Sequence, residues 1–143
     1  MSPVVVVNAE AAVRDWLLTR PAVTAIVQNA IFIGVPAEIS RREGAYPLVG
    51  VHRLFSTVGA YLPVDDAALQ LDCWGPMKSQ KAASAAASAI ASELWSLVPN
   101  TALTADVVAK GVHDLATVWG PDPVSDRPRY IVTATVTLLA VTP

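Results

Sequence analysis

The chain reads as an α+β domain, a mostly antiparallel sheet of about four strands with helices packed on one face. Three stretches carry that reading. Ala67 to Trp74 is strand-like and ends at the break Gly75-Pro76. An Ala-rich segment then runs to Leu97 with no further Pro or Gly, and Ala83, Ala86, Ala87, Ile90, Leu94, Leu97 and Val98 recur at spacings of three and four, one apolar stripe on a helical period. From Arg129 to Val141, Tyr130, Val132, Ala134, Val136 and Leu138 alternate with Ile131, Thr133, Thr135, Thr137 and Leu139, the period of a strand half-buried on one side. Val132 to Leu138 should face the core and the threonines solvent or a neighbouring subunit.

The other elements follow in order. Residues 1–8 read as an N-terminal arm, in which Val4 to Val7 is an ordered arm or edge strand, and residues 9–143 as a single domain. Asn8 can cap a helix over about Ala9 to Thr19, whose apolar side is Ala9, Ala12, Val13, Trp16 and Leu17. Pro21 suits the first position of a second short helix, because its missing N–H has no helical partner there. Ile31-Phe32-Ile33 favours strand and is closed by Gly34, and Pro36 to Ala45 reads as an exposed loop. Pro47 to Leu54 is a strand, joined to the next through a projecting loop of about a dozen residues, Phe55 to Asp66. Thr101 to Ala109 fits either a short helical turn capped from Thr104 or a loop. Val112 to Trp119 is a further strand, and Gly120-Pro121-Asp122-Pro123 is the turn of a hairpin leading into Arg129.

Composition bounds the function. The chain has 143 residues, 53% hydrophobic and only 15% charged, where charge is usually about a quarter. A surface so short of charge predicts that neighbouring copies or partners cover part of it. Net charge is −2, with three lysines and seven arginines scattered along the chain, which argues against a dedicated nucleic-acid binder. No apolar run approaches the length of a membrane span. The single cysteine, Cys73, reads as a small buried hydrophobe, and a reducing compartment fits.

Signatures of catalysis are missing. There is no Gly-Lys-Ser or Gly-Lys-Thr phosphate loop, no Gly-x-Gly-x-x-Gly, no Gly-x-Ser-x-Gly and no His-Glu-x-x-His. Asp65-Asp66 reads as a solvated loop pair and His52 as a hydrogen-bonded structural histidine, since no second ligand stands at metal spacing. His113-Asp114 are strand neighbours whose side chains point apart, with no nucleophile beside them. Trp16, Trp74, Trp95 and Trp119 read as core or interface, because the basic residues of a single-strand binder are absent. No cofactor or metal is expected.

Taken end to end, the segments resemble the small tail terminator, or tail completion, proteins of long-tailed bacteriophages. The resemblance covers about residues 9 to 140. It is carried by the helix Ala11 to Leu18, by Pro21-Ala22-Val23 leading to Ile31, by Tyr46-Pro47-Leu48-Val49, by Leu69-Gln70-Leu71-Asp72-Cys73-Trp74-Gly75 before the Ala-rich helix, and by Arg129-Tyr130-Ile131-Val132. It implies a non-enzymatic homohexameric ring at the head-proximal end of the tail tube. Such a ring stops tube growth and offers the surface to which a head connector or stopper protein binds, with genomic DNA passing through its lumen. The contacts with neighbours and tube are expected from three projecting regions. These are Arg41, Arg42, Glu43 and Tyr46, then the Val58 to Asp66 loop with Asp65 and Asp66, and the Trp119 to Arg127 turn. Another neck component is the nearer rival, and a small-ligand module using His52 or His113 the more distant one.

Overall fold

The computed structural model describes residues 7–36, 47–58, 64–76, 78–97 and 99–140, with residues 56–58 described by their backbone alone. Among the described residues three helices, α1 (Ala9–Leu17), α2 (Pro21–Val27) and α3 (Gln80–Trp95), accompany six strands. The strands are β1 (Ile31–Ile33), β2 (Leu48–Val58), β3 (Val64–Trp74), β4 (Thr101–Ala102), β5 (Val107–Trp119) and β6 (Arg129–Ala140). They form one sheet in the order β1-β2-β3-β6-β5-β4. Every pairing is antiparallel except β1 with β2, which is parallel. The α+β class holds, but the sheet has six strands where about four were expected. Of the two additions, β1 is the Ile31–Ile33 run already read as strand-favouring, and β4, two residues long, is too short to leave a periodic pattern.

Each helix starts where its capping chemistry says it should. Asn8 Oδ1 accepts from the Ala11 N–H at 3.1 Å, Pro21 occupies the first turn of α2, and Ser79 Oγ accepts from the Ala82 N–H at 3.3 Å. The stripe on α3 is buried throughout its described length, from Ala83 to Leu97, while Val98 lies outside the described residues. Small side chains at 83, 86 and 87 let α3 lie close to β3, β5 and β6. Gly75 is part of that fit, because a Cβ there would stand 2.4 Å from the Ser79 carbonyl oxygen. Helix α1 covers β1 and β2, and Arg20 ties the helices together by an ion pair from Nε to Glu93 Oε2 at 2.9 Å.

One apolar cluster results. Val49 and Val51 of β2, Leu69, Leu71 and Cys73 of β3, and Val132, Ala134, Val136 and Leu138 of β6 meet Val13, Trp16 and Leu17 of α1 and Ile90 and Leu94 of α3. The register places Val51, Leu71 and Val132 side by side, so the helices share one face of the sheet. Burying a Leu, Ile or Val side chain contributes about 1.5 to 3 kcal/mol, and this cluster dominates the stability.

Two expectations change. The loop between Phe55 and Asp66 is shorter than the sequence indicates, because β2 continues to Val58 and β3 begins at Val64. Asp65 and Asp66 have little strand preference of their own, and pairing across the hairpin overrides it. Thr101 to Ala109 is neither helical turn nor plain loop but a tight hairpin, in which Leu103 N–H donates to the Val107 carbonyl oxygen and Thr104 Oγ1 accepts from the Asp106 N–H.

Candidate assembly surface

The turn between β5 and β6 is built around Asp122. Its Oδ1 accepts from the Val124 N–H at 2.9 Å, and its Oδ2 accepts from Ser125 Oγ at 2.8 Å and from the indole N–H of Trp74 at 3.0 Å. Partial burial pushes the Asp122 carboxyl upward, but these hydrogen bonds outweigh it and hold the group below its ordinary pKa. Arg127 lies beneath, only 2% exposed, with Nη1 directed at the Gly75 carbonyl oxygen at 3.4 Å. Desolvation lowers the pKa of its guanidinium, which stays charged at any ordinary pH. Arg129 Nε donates to the Gly120 carbonyl oxygen at 2.7 Å. The turn is therefore fastened to the end of β3 rather than projecting loosely.

Beside it, Trp119 is 41% exposed and packs on Tyr130 with ring centroids 5.0 Å apart. A cleft of about 340 Å³ runs past Trp119, Pro121, Asp126 and Pro128 to Lys78 and Gln80 at the start of α3. Its walls are proline and aromatic surface with Gln80 and three charged residues, Lys78, Asp126 and Arg127.

The second region is the β2–β3 hairpin. Asp65 is 1% exposed on the helix-facing side, where Arg53 Nη2 stands 3.0 Å from its Oδ2 and also donates to the Val7 carbonyl oxygen at 2.5 Å. Asp66 points to the opposite face and accepts from Thr137 Oγ1. The reading of Asp65-Asp66 as a solvated loop pair is thus corrected. They are strand residues, and Asp65 is half of a buried ion pair. Leu54 and Phe55 of β2, which the sequence did not single out, are 54% and 63% exposed.

On the sheet face away from the helices, His52 Nε2 lies 3.0 Å from Asp72 Oδ2, and Gln70 Nε2 donates to Asp72 Oδ1 at 2.9 Å. His52 thus stands against the buried carboxylate of Asp72. Trp74 covers the same face over Gly50, where a Cβ would meet its ring at 3.0 Å and the Gly34 carbonyl oxygen at 2.3 Å. His113 and Asp114 are exposed, their nearest charged atoms 3.8 Å apart. Burial drives the Cys73 thiol far above its usual pKa, so it is inert. Among the described residues, no three His, Cys, Asp or Glu side chains come together as a metal site, and no helix is long and apolar enough to cross a membrane.

Of the contact residues expected from the sequence, Arg41, Arg42, Glu43 and Tyr46 lie outside the described residues. Trp119 is at the surface, Asp66 half-buried, and Asp65 and Arg127 inside the domain. The burial of Arg127 had no sequence signal, since it depends on Gly75 arriving from 52 residues away.

No family model matches this chain, and no curated protein does. Among solved structures, a chain from one described as the virion of a native gene transfer agent particle superposes with a TM-score of 0.60 at 19% identity, over 91% of this chain and 93% of that one. The two chains share a fold. At that coverage the likeness takes in most of the domain and not one hairpin alone.

Proposed function

We propose that this chain is a structural, non-enzymatic protein of a phage-type virion, forming a ring at the head-proximal end of the tail tube. There it ends tube polymerisation and presents the head-joining surface. The observation that carries the reading is the whole-length likeness of fold to a chain of a gene transfer agent virion. The sequence resemblance to tail terminators, the low charge and the exposed Leu54, Phe55, Val118 and Trp119 support it. Its partners are further copies of itself, in a ring of six by the resemblance, the tail tube protein, and a head connector or stopper protein. DNA passes through the lumen without sequence-specific contacts, and no membrane is involved. The segment around Arg41, Arg42, Glu43 and Tyr46 and the surface beside Trp119 make the contacts in this reading, while Asp65 and Arg127 hold the two hairpins in shape.

Deleting the gene and examining the lysate by electron microscopy tests it. Overlong tails without heads, beside filled heads, are the expected result. Tails of normal length that fail to join heads would move the protein to another part of the neck, and normal particles would exclude the structural role.

A further inference from the structure

The two ends of β5 are built as opposites. At its last residue, Trp119 opens the cleft of about 340 Å³ whose rim sets Lys78 and Arg127 against one carboxylate, Asp126, among the described residues. At its first, Val107 lies with Asn8, Ala11 and Ala12 in a hollow of about 250 Å³ whose rim carries Asp15 and Asp106. One end has a surplus of positive charge and the other has two carboxylates. Thirteen residues at about 3.3 Å each hold the ends roughly 40 Å apart.

Beside the cleft the β5–β6 turn holds Val124 out, 92% exposed. The turn cannot fold that side chain away. Asp122 accepts from the Val124 N–H and from Ser125 Oγ, and the Trp74 indole ties the same carboxylate to β3. An apolar side chain held out by a fastened turn loses little freedom when a partner covers it, so covering it is favourable.

We infer that the two ends meet between copies, the β5–β6 turn of one protomer seating on the hollow of the next, with Val124 over Ala11, Ala12 and Val107 and with Lys78 facing Asp106. This rests on the ring reading and names the contact that closes it. Charge is the first argument. Lys78 and Asp106 are both exposed, and neither has an ion-pair partner among the described residues. Asp15 already has Arg14 at 3.3 Å, so Asp106 is the carboxylate left for a neighbour. The first turn of α3 holds the exposed Lys81 and no acidic residue, which adds to the positive side. Opposite charges meeting at a rim fix orientation and deter wrong partners.

Symmetry is the second argument. The ends differ, so the contact is head-to-tail, and a pair of copies leaves one end of each kind uncovered. A closed ring covers them all. Size is the third. Six copies advancing about 40 Å each make a circuit of about 240 Å, a ring roughly 75 Å across. Copies set side by side would advance by six strands at about 4.8 Å, about 29 Å, and make a ring roughly 55 Å across. The diameter therefore separates the two arrangements.

Charge reversal tests the contact. Lys78→Glu, Asp106→Lys, Val124→Asp and the double variant Lys78→Glu with Asp106→Lys are purified beside the parent protein. Rings are counted and measured by negative-stain microscopy over a concentration series. All three side chains are exposed, so the variants should melt with the parent. Each single variant is expected to raise the concentration needed for rings by about tenfold or more, and the double variant to bring it back. Single reversals without effect, a double variant that stays impaired, or parent rings near the smaller diameter would overturn the end-to-end contact and leave the ring reading standing. Parent protein that forms no ring at any concentration would overturn both. Intact Val124→Asp rings that no longer stop tube growth would reassign the turn to the tail tube protein.

Discussion

β6 and the second half of β5 are neighbours in the sheet, hydrogen-bonded to each other, and their environments could hardly differ more. In β6 every second residue from Val132 to Leu138 is at most 3% exposed, because α3 lies over one side and strands flank both edges. In β5 burial stops at Ala109, and Ala116 to Trp119 are exposed although their backbone is fully extended. Alternating hydrophobicity is the signature of a strand with one covered face. β5 lacks it, having His113, Asp114, Thr117, Val118 and Trp119 in near succession.

The comparison is sharpest at β6. Leu138→Ala removes a fully buried side chain from the apolar cluster and should destabilise the domain by about 2 to 5 kcal/mol, read as a lower urea midpoint with an unchanged slope. A loss under about 1 kcal/mol would mean the core is less tightly packed than described. Next comes the turn joining the two strands. Asp122→Ala leaves the buried Trp74 N–H without its acceptor and should destabilise by about 1 to 3 kcal/mol at neutral pH. Because the folded-state pKa of Asp122 lies below the unfolded one, its contribution is present above the unfolded value, about 3.9, and is lost as pH falls through the folded one. The gap between wild type and variant should therefore narrow only below about pH 4, and a gap that instead shrinks between pH 8 and 5 would assign the effect to another group. The smallest effect is on β5. Val118→Ser should change stability by no more than about 0.5 kcal/mol while weakening ring formation. A larger loss of stability would show that Val118 is already engaged within its own chain.

Much of this fold was legible because it is locally encoded. The α3 stripe, the alternation in β6, the Asn8 cap and Pro21 each depend on residues within a turn or two of one another. What could not be read depends on partners far along the chain. Asp65 looks like a loop residue until Arg53 and the Val7 carbonyl are placed beside it, and His52 finds Asp72 only through the β2–β3 register. The surface was less legible still. Trp119 was singled out through its turn, whereas Leu54 was assigned to a strand face and Phe55 to a loop, because a bulge between Arg53 and Phe55 interrupts the alternation that would have marked them.

The order of the strands has a consequence for how the chain is made. β3 and β6 sit side by side at the centre of the sheet, yet their paired residues, from Val64 with Leu139 to Trp74 with Arg129, are 55 to 75 positions apart. Contacts so distant in sequence form late and slowly. During synthesis the β2–β3 hairpin emerges first and must wait, its inner edge bare, until β5 and β6 leave the ribosome and slot in beside it. A polypeptide interrupted anywhere before residue 129 lacks the central strand altogether, so only a finished domain presents both ends of β5 in the geometry that a neighbour could use.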